Sequence, residues 1–185
     1  MHRGGISCPT VPRLHQTEPH KLRRVAEPVA DRPDMPDGYL GSAPLPWRWA
    51  EEQLTAARNY WVTTIGAQGR PHVRPVWAVW LDDSVQFSTG ARHAANLALD
   101  PRVSVNLESG DDCVILEGTG EAVTDEQQRL AFIEAYEPKY DWSMTLDFVD
   151  VLYIVRPRVV LGWIGRDIAR ESTLFNATAT RWRFA

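Results

Sequence analysis

The stretch RPHVRPVWAVWL, Arg70–Leu81, decides the fold. It has the β-branched and aromatic content of a strand, yet it carries three bases and a proline in mid-run. Alternate residues divide it into one face of Val73, Pro75, Trp77, Val79 and Leu81 and another of His72, Arg74, Val76, Ala78 and Trp80. A strand with one wet face alternates apolar with polar, and this one turns apolar on both sides toward its end. Two-sided burial accounts for that pattern, as does a barrel wall covered from outside by a partner or ligand.

Working outward, WVTTI reads as the preceding strand, with GAQG as the turn between. Asp82-Asp83-Ser84 is a second turn, and VQFST alternates as a third strand. ARHAANLAL is alanine-rich, stops at Asp100-Pro101 and is expected to be a short helix. VSVNLE and CVILEGTGEAV are the fourth and fifth strands, joined by SGDD. Thr124 and Gln127 form a capping box for DEQQRLAFIEAY, on which Leu130, Ile133 and Tyr136 share a face. VLYIV and VVLGWI are the last clear strands, and TRWRF closes the chain as an extra one. Upstream, Pro46 precedes the helix WRWAEEQLTAARNY, with Glu51 and Glu52 taken as its acidic first turn. Short strands joined by tight turns, with three helices, indicate a mainly β antiparallel barrel or sandwich.

Residues 1–45 differ in kind. They hold seven of the thirteen prolines and three of the five histidines, with no apolar periodicity. Such a segment cannot bury enough surface to offset its ordering entropy, so it reads as a mobile arm or one ordered only against another surface. The domain proper is expected over 46–185. His2, His15 and His20 are too irregularly spaced for a metal site, and Cys8 and Cys113 have no ligand-like spacing and read as free thiols. At 185 residues and a net charge of −4 the chain suits one domain with no broad nucleic-acid surface. No run approaches the ~20 apolar residues of a membrane span, and a cytoplasmic location is the default expectation.

Dinucleotide and phosphate-loop fingerprints are absent, as are a serine elbow, HExxH and CxxC. Glu108, Asp111, Asp112 and Glu117 surround a hairpin and read as solvated turn residues. The constellation that does carry chemistry is FSTGARHAANL. It places Ser88 and Thr89 at a strand end, Gly90 at the turn, and Arg92 and His93 at a helix start, where unpaired N–H groups and the helix dipole favour phosphate. Asn96 sits one turn on, suited to hold the loop, and Leu97 to the core. Arg74, with Arg70, belongs to the adjoining strand of the hairpin and adds positive charge. Trp77 or Trp80 is placed to wall a flat ring whose phosphorylated tail meets these bases.

The order GRPHVRPV, FSTG, HAANL, DPRVSV, LESGDD and LEG, within residues 47–185, resembles the pyridoxamine 5′-phosphate oxidase-like split β-barrel family, and within it the flavin/deazaflavin oxidoreductases. The resemblance implies a six- to seven-stranded antiparallel split barrel, homodimeric, with a cofactor at the subunit interface. It implies that Arg74, Pro75, Val76 and Trp77 run along the ring, and that Ser88, Thr89, Gly90, Arg92, His93 and Asn96 serve the phosphate end. The activity implied is hydride transfer from the deazaflavin F420 to a small organic acceptor. The alternatives are flavin mononucleotide (FMN) in an oxidase or reductase, and a non-catalytic cofactor- or tetrapyrrole-binding protein. Two departures stand out. The loop after FSTG is short and lacks lysine, and Cys113 stands where flavin-binding oxidases often carry glutamine. Oxidation of pyridoxine phosphate itself is not expected, since Arg181 and Arg183 are the only bases near the C-terminus and a closing strand accounts for them.

Overall fold

A computed structural model of the chain describes residues 26–34, 43–165 and 178–185. The elements run β1 (Val29–Asp31), α1 (Trp47–Ala56), β2 (Tyr60–Ile65), β3 (Pro71–Val76), β4 (Val79–Leu81), β5 (Ser84–Ser88), α2 (Ala91–Leu99), β6 (Arg102–Leu107), β7 (Asp112–Val123), α3 (Glu126–Tyr140), β8 (Leu152–Ile164) and β9 (Thr180–Arg183). All strand pairs are antiparallel, and the sheet runs β1-β9-β8-β7-β6-β2-β3, with β4 and β5 joined through β8.

The long strand β8 is where the barrel splits. Its first half pairs with β5 (Ser88 opposite Leu152) and its second half with β9 (Val160 opposite Trp182), while β7 follows it along both. The register of β7 on β8 shifts at Glu117/Gly118, a bulge that lets the pair bend. Gly118 is needed there because a Cβ would collide with the Arg156 carbonyl.

Arg70–Leu81 is not one strand. β3 ends at Val76, Trp77 and Ala78 break the ladder, and β4 pairs with β5 instead of β2. The reason is visible at Tyr140, whose hydroxyl accepts from the Ala78 N–H at 2.9 Å and donates to the Ala78 and Arg58 carbonyls, each at 2.7 Å. A side chain thus replaces the ladder at the crossover. Along β3, His72, Arg74 and Val76 share the inner face with Thr64, Val62 and Tyr60, and Val73 and Pro75 face out beside Thr63 and Trp61. The break and the short β1 raise the strand count above the six or seven expected.

Two packed clusters hold the molecule. The barrel core includes Tyr60, Val62, Val85, Phe87, Leu116 and Trp182, plugged by Trp47 and Leu54 of α1. Trp47 meets Trp182 and Phe184 edge-on, at centroid distances of 5.6 and 5.0 Å. The second cluster lies under α3 and comprises Phe132, Ile133, Tyr136 and Tyr140 against Val79, Leu152 and Ile154.

Local details correct the sequence reading. Asp125, not Thr124, caps α3 and accepts from the Gln128 N–H at 3.0 Å. Leu130 is exposed, and Phe132 takes its expected place on the buried face. Helix α1 has no acid in its first turn; Glu52 instead pairs with Arg48 at 2.8 Å one turn later. Within 1–45, Val29–Asp31 lies on β9 as an edge strand, held by Asp31 to Arg181 at 2.9 Å and to Arg183 at 3.2 Å. Those contacts occupy both C-terminal bases. His2, Cys8, His15 and His20 lie outside the described residues. Among the described residues no helix is long and apolar enough to cross a membrane, and no cluster of metal-ligating side chains occurs.

Candidate functional site

A cleft of about 550 Å³ opens where β3 ends, between the end of β5, the start of α2, α3 and the segment 141–151. It brings together Pro75, Val76 and Trp77 with Ser88, Thr89 and Gly90, six of the ten residues singled out from the sequence. Helix α2 begins at Ala91 with Gly90 as its N-cap, and no side chain caps it, so its first N–H groups face outward without an internal acceptor. Trp77 stacks on Tyr140 with centroids 5.0 Å apart and planes 9° from parallel. Trp80 turns the other way, toward Trp47 at 6.0 Å, and belongs to the core. Of the two tryptophans proposed as walls, only Trp77 is in the cleft.

The other four predicted residues are not among those that line the cleft. Arg74 and Arg92 are exposed and close enough to His72 to disfavour its protonation, which burial already opposes. His93 and Asn96 are buried and tied to Thr64. The Asn96 amide donates to Thr64 Oγ1 at 2.9 Å, and Thr64 Oγ1 lies 3.1 Å from His93 Nδ1 but 3.5 Å from the His72 carbonyl. Thr64 Oγ1 thus has two acceptors within reach, His93 Nδ1 and the His72 carbonyl, and its choice between them sets which ring nitrogen of His93 carries the proton. His93 Nε2 is buried with no partner. The His72 and His93 rings meet at 5.0 Å with planes tilted by 43°, and burial, His72 and Arg74, in that order, lower the His93 pKa. His93 is thus biased toward its neutral form. Asn96 lies close against the β2–β3 turn, where a Cβ on Gly66 would stand 3.3 Å from its side-chain oxygen.

Several lining residues were not anticipated. Phe132, Tyr136 and Tyr153 come from packed elements, and Trp142, Met144, Phe148 and Asp150 from the segment after α3. That segment is fastened to α3 by the Arg129 guanidinium on the Val149 carbonyl (3.1 Å) and by the Met144 N–H on the Glu137 carboxylate (3.0 Å). Trp142 and Phe148 left one signal in the sequence, as large aromatics in a run with neither helical nor strand period. Thr64 left none, because its role depends on α2 crossing β2. The hairpin carboxylates form no acid pair: Glu108 accepts from Asn59 at 3.0 Å, and Glu117 points outward from β7. Cys113 is buried, which pushes its thiol up to about 11, and it does not line the cleft.

A profile of the pyridoxamine 5′-phosphate oxidase family matches residues 49–163, which run from within α1 into β8 and include every element around the cleft. The chain belongs to this family. No curated protein matches the sequence. Among solved structures, a conserved hypothetical protein of Mycobacterium tuberculosis superposes with a TM-score of 0.57 at 21% identity, covering 80% of this chain and 92% of that one. An FAD-binding protein of Mesorhizobium loti gives 0.52 at 19% identity over 76% and 96%. General stress protein 26 of Bacillus anthracis gives 0.50 at 17% identity over 61% and 92%. At these identities the likeness is one of fold, and it identifies the open antiparallel sheet as that of the split-barrel proteins.

Proposed function

We propose that the chain is an oxidoreductase that binds the deazaflavin F420 in this cleft and passes hydride to a small organic acceptor. The observation that carries this is the meeting of two surfaces in one cleft. An apolar strand end, Pro75–Trp77, adjoins an uncapped helix start flanked by Arg92, Arg74 and the unpartnered Nε2 of His93. A planar ring suits the first surface and a phosphate the second. The donor set therefore fits a phosphorylated flavin or deazaflavin, and one solved neighbour of the same fold is described as FAD-binding.

The bound cofactor supplies the hydride-bearing carbon; this chain supplies placement. Ser88, Thr89 and the first N–H groups of α2 hold the phosphate end, and Arg92 and Arg74 neutralise it. Pro75, Val76 and Trp77 would lie against the ring, and Phe132, Met144 and Val151, which line the same cleft, would exclude water from it. A second copy of the chain completes the enclosure in this proposal. Val73 is 51% exposed on the outer face of the edge strand β3, beside exposed Trp61 and Pro75, a greasy surface suited to a homodimer.

Fluorescence-anisotropy titration with F420 and, separately, with FMN tests this. F420 is expected to bind saturably, and Arg92→Ala to weaken it about 10- to 150-fold, the range for a charge-assisted hydrogen bond. Tight FMN binding with no F420 binding overturns the choice of cofactor in favour of a flavin enzyme. A monomer at micromolar concentration in sedimentation overturns the dimer.

A further inference from the structure

A second cleft, of about 440 Å³, shares no lining residue with the first. It lies between the β4–β5 turn, β8 and the first turns of α3, and Gln86 of β5 stands in its wall. Val85 and Phe87 belong to the barrel core, so alternation turns Gln86 the opposite way, beside its cross-strand neighbour Ile154. Gln86 is only 4% exposed. Its amide nitrogen donates to the Leu81 carbonyl and to Ser84 Oγ, each at 3.1 Å. A carbonyl can only accept, so the amide cannot be turned round, and Oε1 is the end left over. That oxygen takes no hydrogen bond among the described residues, and it is not sealed in, so it opens into the cleft. Tying down the turn needs only the nitrogen. An acceptor held open in the wall of a cleft, on a side chain otherwise buried, is a place for a donor from outside.

The surroundings select a charged donor. Asp82 stands at the rim, where burial and then Asp83 raise its pKa, and Arg156 lowers it from a distance without forming an ion pair. Asp125 adds a second carboxylate, with Oδ1 already taken by the Gln128 N–H at 3.0 Å in the α3 cap. Two carboxylates against one guanidinium leave the lining net negative, which disfavours anions. A hard metal ion is poorly served too, since it takes several oxygen ligands and no metal-ligating cluster occurs among the described residues. Leu81 and Ile154 give the cleft an apolar side along which methylene groups can lie. We propose that this cleft binds a small primary alkylamine in its ammonium form. One N–H donates to Gln86 Oε1, another to the Asp82 carboxylate, and the stem packs on Leu81 and Ile154. Binding here requires neither a cofactor nor the hydride-transfer reading.

NMR titration of the full, ¹⁵N-labelled chain at constant ionic strength tests it with three probes of one size: pentylammonium, the neutral 1-pentanol and the anion pentanoate. Pentylammonium is expected to shift the Gln86 side-chain NH₂ and the Asp82 and Gln128 amides saturably. 1-Pentanol should bind roughly 10-fold more weakly, the difference between a charge-assisted and a neutral hydrogen bond, and pentanoate should not saturate. Asp82→Asn keeps a residue type that tolerates the positive φ of this turn, near 52°. It should weaken pentylammonium by about 10-fold and leave 1-pentanol unchanged. Arg156→Gln, which removes the opposing charge, should strengthen pentylammonium and not 1-pentanol, an outcome that damage to the fold does not produce. Equal affinity for pentylammonium and 1-pentanol, shifts that stay linear or fall elsewhere, or an Asp82→Asn protein that binds pentylammonium as before overturns the inference. F420 or FMN titrations neither rescue nor remove it.

Discussion

Replacing Tyr140 with phenylalanine isolates the hydrogen bonds that turn β3 into β4. The ring itself is retained, so its stack on Trp77 at 5.0 Å and its contact with Tyr136 at 4.4 Å survive. What disappears is the acceptor for the Ala78 N–H and the donor shared by the Ala78 and Arg58 carbonyls. Ala78 is wholly buried, so both of its backbone groups lose their partner with no route to water, whereas Arg58 is exposed and its carbonyl can be solvated. Two orphaned buried groups at ~1–3 kcal/mol each give a loss of about 2–6 kcal/mol. For a domain of this length that lowers Tm by roughly 4–24 °C. Urea unfolding followed by tryptophan fluorescence measures it, with the slope m expected to be unchanged. Because Trp77 hangs on the same crossover, cofactor affinity should fall as well. A loss below ~0.5 kcal/mol would show that the crossover is held by packing alone and refute the reasoning.

Three further outcomes are expected. Gly118→Ala places a Cβ against the Arg156 carbonyl at the bulge and should cost about 3 kcal/mol or more, read as a collapse of the urea midpoint or failure to fold. Burial lowers the Lys139 pKa to about 8, with its Nζ 3.0 Å from the Tyr60 hydroxyl. Between about 8 and the usual lysine value the unfolded chain holds the extra proton, so folding stability should rise with pH relative to Lys139→Met. Urea midpoints at pH 7.5 and 9.5, below the range in which the buried tyrosines oppose the trend, check the sign. In Cys8→Ala protein, Cys113 at about 11 should react with an aromatic disulfide reagent at pH 8 roughly 100-fold more slowly than after unfolding; equal rates would show the thiol to be open.

How far the sequence reached can be seen at β3. Its content as a strand, its hairpin with β2 and the turn at Asp82–Asp83 were legible, since each is written in neighbouring residues. Both aspartates adopt positive φ, near 52° and 53°, in the two-residue turn that leads into β5. The break at Trp77–Ala78 was not legible, because the group that causes it, the Tyr140 hydroxyl, lies 62 positions away along the chain. Likewise FSTGARHAANL announced a strand end, a turn and a helix start, and the structure puts Ser88, Thr89 and Gly90 in the cleft. Whether His93 faced a ligand or the interior depended on Thr64, on a strand that α2 crosses.

The sequence by itself therefore determined the kind of elements, their antiparallel order and the family, all of which follow from local periodicity, turn chemistry and motif order. Only the tertiary structure decided which tryptophan of the pair walls the cleft, that His93 and Asn96 are held by Thr64, and that Tyr136, Trp142 and Phe148 complete the site. The physical reason is that local preferences act over a few residues, whereas a cleft is made by side chains whose meeting depends on how distant strands and helices pack.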